Sequence, residues 1–94
     1  VHTGSLPEGI SLSPAYPNPV SDGMATLRYS TGSSGHVSIK VYNTLGEEVA
    51  ALVDNFVESG SYTAEFILTD IPGGMYVVWM KGGGMVVERK VLVR

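Results

Sequence analysis

The sequence predicts an all-β domain, a seven-stranded antiparallel immunoglobulin-like β-sandwich. Three observations carry that expectation. Apolar residues recur at every second position in short runs, the period of a strand with one buried face. Twelve glycines and five prolines punctuate the 94 residues, leaving strands at intervals of roughly 8–12 residues, as in a sandwich. No stretch keeps a helical period beyond about two turns, and the glycine and proline content opposes helix.

The first expected strand is Ile10–Tyr16, with Ile10, Leu12 and Pro14 sharing a face. Pro14 has no backbone donor, which places this strand at a sheet edge, and Pro17 and Pro19 end it. Met24–Ser30 follows, with Ala25, Leu27 and Tyr29 alternating with Thr26 and Arg28. After the loop at Gly32–Gly35, His36–Asn43 is the clearest strand: Val37, Ile39 and Val41 point one way, and Ser38, Lys40 and Tyr42 the other. Thr44-Leu45-Gly46 is a tight turn. In Glu47–Val53, Val49 and Leu52 break strict alternation, so the segment is either a bulged strand or a short helical turn; the strand is preferred. Asp54–Gly60 is expected to turn. Ser61–Leu68 directs Tyr62, Ala64 and Phe66 to one face, and Asp70–Gly74 is a turn. Met75–Lys81 and Met85–Val93 form a hairpin through Gly82-Gly83-Gly84. The expected core includes Leu27, Ile39, Val41, Phe66, Tyr76 and Val78. Residues 1–9 show no period and read as a flexible linker or tail, leaving 10–94 as the domain.

Composition narrows the function. A chain of this length buries only about 60–65% of its unfolded surface, so the core is thin. There is no cysteine, hence no disulfide or thiolate metal site. The net charge of −3 argues against nucleic-acid binding. Its distribution is uneven: residues 1–80 sum to −6, whereas 81–94 sum to +3 through Lys81, Arg89, Lys90 and Arg94 against Glu88. This reads as a basic tip on an acidic body. No apolar run approaches the ~20 residues of a transmembrane segment. No signal peptide is visible and the chain begins at Val1, so it reads as a fragment whose parent carries any export signal.

No constellation supports catalysis. The histidines, His2 and His36, lack a third ligand at metal spacing. Asp22, Asp54 and Asp70 each fall in an expected turn, where aspartate is common because its side chain mimics a turn. Ser33 and Ser34 have no histidine placed to activate them. Glu47-Glu48 reads as a solvated pair on an edge. Gly82-Gly83-Gly84 precedes a strand, so no helix N-terminus faces a phosphate. No cofactor is implied. Tyr62, Phe66 and Tyr76 fall at core positions, whereas Trp79 and Tyr42 fall on outer faces and present a possible sugar-stacking pair.

Five motifs, in order, resemble one family: the type A C-terminal sorting domains of the type IX (Por) secretion system. Leu12–Pro19 resembles the family's entry, with Pro17-Asn18-Pro19 at its centre. Val41–Val49 resembles its strand–turn–strand signature around Gly46. Gly60-Ser61-Tyr62 and Gly74-Met75-Tyr76 match its two Gly-x-Tyr strand starts, and Lys90–Arg94 its basic-apolar terminal strand. Two positions depart from the pattern. Val20 stands where an aromatic residue is frequent, and Asn43 where aspartate is usual; valine packs and asparagine turns.

The resemblance implies a non-catalytic signal that carries an N-terminal cargo domain across the outer membrane. It would be recognised by the translocation and attachment machinery and removed by a sortase-like surface protease. The cargo would be anchored to lipopolysaccharide or released. The expected recognition element is the terminal hairpin, Met75–Arg94, with Lys81, Arg89, Lys90, Leu92 and Arg94. It would dock through an open strand edge rather than through charge. Removal would occur in the flexible segment before Ile10. The alternative is an accessory immunoglobulin-like module of a secreted hydrolase, serving as a carbohydrate binder or spacer.

Overall fold

A computed structural model describes residues 9–20, 23–67 and 71–94. Residues 1–8 of the expected tail 1–9, Asp22, Leu68 at the end of the expected fifth strand, and Asp70 lie outside them. Seven strands form: β1 Ile10–Leu12, β2 Met24–Thr31, β3 Gly35–Tyr42, β4 Glu48–Val57, β5 Gly60–Ile67, β6 Gly74–Gly82 and β7 Met85–Val93. All strand pairings are antiparallel. One sheet has the order β1-β2-β5 and the other β4-β3-β6-β7. This is the expected β-sandwich. Relative to the constant-type immunoglobulin order, the fourth strand has left the sheet of strands one, two and five and pairs with the third.

The period-two reading places the core correctly. Leu27, Ile39, Val41, Phe66, Tyr76 and Val78 are all buried between the sheets, joined by Leu12, Val20, Met80 and Val91. Tyr62 is an exception. It is only partly buried, because its ring stacks on Tyr29 at the rim, with centroids 5.3 Å apart.

Two elements differ from expectation, and the bulged-strand reading of Glu47–Val53 holds. β1 ends at Leu12; the Ser13 N–H still donates to the Arg28 carbonyl at 2.8 Å, and the chain rejoins β2 at a bridge between Tyr16 and Thr26; Pro14 interrupts the ladder. β4 is a strand that continues to Val57 instead of turning at Asp54. Asp54 lies opposite Ser38, and its carboxylate sits 2.8 Å from His36. Both side chains are exposed on the outer face of the sheet, Asp54 from the edge strand β4 and His36 from the start of β3, where polar residues remain hydrated. Finally, the pairing of β3 with β4 skips Leu52 between Val53 and Ala51, and Val49 between Ala50 and Glu48. The two residues that break alternation are therefore the extra residues of two β-bulges.

Candidate recognition surface

The terminal hairpin turns through Gly83 and Gly84, with φ of +56° and +78°. Two left-handed residues in a two-residue loop match the twist of the flanking strands, and glycine takes that conformation without a steric cost. Gly82 pairs with Met85, and the register runs unbroken to Gly74 and Val93.

That register sorts the basic residues. Lys90 lies opposite Val77, Leu92 opposite Met75, and Glu88 opposite Trp79. Their side chains share the outer face, as does that of Lys81. Lys81 sits at the turn end of the hairpin and Arg94 at the other, so the expected basic tip is a charge distribution along its whole length. Next to them, Tyr42 and Trp79 pack at 5.5 Å between ring centroids, and the Lys81 ammonium lies 5.8 Å from the Trp79 ring. Tyr42, Val77, Trp79, Met75, Glu88 and Lys90 line a depression of about 600 Å³. Trp79 and Tyr42 thus occupy the outer face, as expected.

Arg89 behaves differently. It shares the parity of Val91 and Val93, which are buried, so its side chain leaves β7 on the inner side. There Nε donates to the Leu12 carbonyl at 2.9 Å and Nη1 to the Glu88 carbonyl at 3.2 Å. Its charge is engaged at the rim of the sandwich. An inward-pointing charge on an edge strand also hinders a second strand from joining there.

The edge of β7 was expected to be open, and over its last residues it is closed. The segment containing Pro17-Asn18-Pro19 lies along it. Asn18 Oδ1 accepts from the Leu92 N–H at 3.0 Å, and its Nδ2 donates to the Lys90 carbonyl at 3.4 Å. The Val20 N–H donates to the Leu92 carbonyl at 2.8 Å, and the Arg94 N–H to the Val20 carbonyl at 2.9 Å. Val20 itself is fully buried, so it packs as read from the sequence. Sequence reasoning assigned Pro17 and Pro19 the ending of a strand. It missed that Asn18 mimics a strand on β7. The only local signal was an amide side chain between two prolines.

The remaining motifs are structural supports. In both Gly-x-Tyr motifs the tyrosine hydroxyl donates to the carbonyl four residues upstream. Tyr62 reaches Glu58, and Tyr76 reaches Pro72, each at 2.5 Å. The second is a tyrosine corner at the β5–β6 connection. Gly60 and Gly74 hold nearly equal φ of +152° and +151°, a region that disfavours a side chain. At Gly46 (φ +85°) the turn is closed by Asn43, whose Oδ1 accepts from the Leu45 and Glu47 N–H groups at 2.9 and 3.0 Å. Its Nδ2 also donates to the Glu47 carboxylate at 2.9 Å, a bond an ionised aspartate lacks the hydrogen to make.

The motif residues thus build the turns, a tyrosine corner and one closed edge of a small β-sandwich module. The secretion system C-terminal sorting domain family matches residues 14–94. The chain belongs to that family: it is the C-terminal sorting signal through which the type IX system exports a cargo protein toward the cell surface or medium, and such domains are not catalytic. No curated protein matches the chain. Among the described residues there is no helix long and apolar enough to cross a membrane and no group of metal-ligating side chains.

Proposed function

We propose that the type IX machinery recognises this domain through the outer face of the β6–β7 hairpin, and that Lys81, Lys90, Leu92 and Arg94 carry the recognition. One observation supports this most directly. The main chain of Leu92 is already paired with Asn18 and Val20, so what remains accessible there is side chains. Met75, Trp79 and Leu92 are each about two-fifths exposed beside Lys90. Apolar and aromatic groups flanked by Lys81, Lys90 and Arg94, with Glu88 the one acidic side chain of the hairpin beside them, make an adhesive patch that hydration alone does not favour. Arg89 stands outside this set because its guanidinium is committed to Leu12.

The cargo lies N-terminal to the domain. A sortase-like protease at the cell surface cuts in the segment up to Gly9, after passage through the periplasm, and the cargo is then anchored or released. No small-molecule cofactor takes part.

The test is a reporter fused upstream of the domain in a type IX-competent host. Lys90→Gln with Leu92→Ser leaves the sheet's backbone pairing intact and is expected to melt within a few degrees of wild type while holding the reporter in the periplasm. Normal surface delivery by a folded double variant would refute the reading.

A further inference from the structure

We propose that Asn18 is a positioning residue for sorting: its side-chain amide stands in for a neighbouring strand on β7 and holds Lys90–Arg94 extended for recognition. The inference deepens the proposed function and rests on it.

A carboxamide has the same donor and acceptor as a peptide unit, and Asn18 uses both. Its Oδ1 takes the Leu92 N–H and its Nδ2 meets the Lys90 carbonyl, the two groups an added strand would engage. Two residues later Val20 continues with real main chain, pairing with the Leu92 carbonyl and the Arg94 N–H. Four hydrogen bonds therefore hold the last residues of β7, which ends the strand order of its sheet. The strap is fixed at its far end by the fully buried Val20 side chain, whereas Asn18 is exposed.

The flanking prolines complete the device. Pro17 and Pro19 carry no N–H, so the strap offers little for a further strand to pair with. The strap thus stops the ladder at β7. Without it, Val91-Leu92-Val93 would present a short β-prone edge free to fray or to pair with another chain, and Lys90, Leu92 and Arg94 would no longer share a defined face.

The test separates holding the strand from folding the domain. Asn18→Leu keeps the bulk and removes both bonds; Asn18→Asp keeps the acceptor for Leu92. Amide hydrogen exchange of the isolated 94-residue domain is read at Leu92, with Ile39 and Val41 in β3 as internal controls. In Asn18→Leu the Leu92 amide should exchange about tenfold faster, the scale of one hydrogen bond, while the controls hold. Asn18→Asp should restore protection. In the sorting assay, Asn18→Leu should lower surface delivery several-fold and Asn18→Asp recover it. Unchanged Leu92 exchange in Asn18→Leu overturns the proposal outright. So does a deprotected Leu92 with normal delivery. In that case the Lys90→Gln, Leu92→Ser variant decides what else falls: if it too is delivered normally, the hairpin reading fails as well; if it is retained, only the role of Asn18 fails.

Discussion

Arg89 Nε donates to the carbonyl of Leu12 at 2.9 Å, tying the last strand to the first across the rim of the sandwich. By sequence Arg89 belongs with Lys90 and Arg94 as a basic residue of the final strand. By structure it is a clamp between the two sheets. Exchanging Arg89 for Gln is therefore expected to lower stability by about 1–2 kcal/mol, the range for a partly buried charge-assisted hydrogen bond. Lys90→Gln and Arg94→Gln should each stay within about 0.5 kcal/mol. Urea midpoints of the three single variants check this, and equal losses at all three would contradict the clamp.

The two Gly-x-Tyr tyrosines look alike in sequence but differ in surroundings. The Tyr76 ring is buried and its bond to Pro72 partly so, whereas the Tyr62 bond to Glu58 is exposed. Tyr76→Phe should cost about 1 kcal/mol, because the Pro72 carbonyl loses its partner away from water. Tyr62→Phe should cost less than about 0.5 kcal/mol, since water replaces the hydroxyl. Chemical denaturation of the pair ranks them, and the reverse order would count against this account.

Val20 sits at the strap's inner end with no exposed surface. Removing its two methyl groups in Val20→Ala should cost about 1.5–3 kcal/mol. Phe66→Ala, at the centre of the core, should cost about 3–5 kcal/mol. Thermal or urea melts measure both. A negligible loss at Val20 would mean that the strap is not anchored by its side chain.

Burial raises the Tyr29 hydroxyl above the ordinary tyrosine value of 10.0, and the neighbouring Tyr62 raises it further. The raised group is an acid, so the unfolded chain loses its proton first. The contribution of neutral Tyr29 is complete below pH 10 and disappears as pH rises through the folded value. Wild type should lose more stability between pH 8 and pH 11 than Tyr29→Phe does. Parallel urea melts at the two pH values test the sign.

The sequence by itself determined most of the inward-facing side chains and the turns marked by glycine. Val37, Ile39 and Val41 alternate with Ser38, Lys40 and Tyr42, and that alternation is a local property of an extended backbone. Gly46 and the Gly83-Gly84 pair mark turns for an equally local reason, since each holds a positive φ. Even the bulges were visible as the misfit of Val49 and Leu52, although their partners in β3 were not. Tertiary structure alone decided that β4 joins β3 instead of the sheet of β1, β2 and β5. It also decided that Arg89 turns inward to Leu12, and that Asn18 closes the edge of β7 from 74 residues away in sequence. An amide between two prolines has the same local chemistry wherever it stands. Its role depends on which backbone edge the packing of two sheets brings beside it, and no local period encodes that.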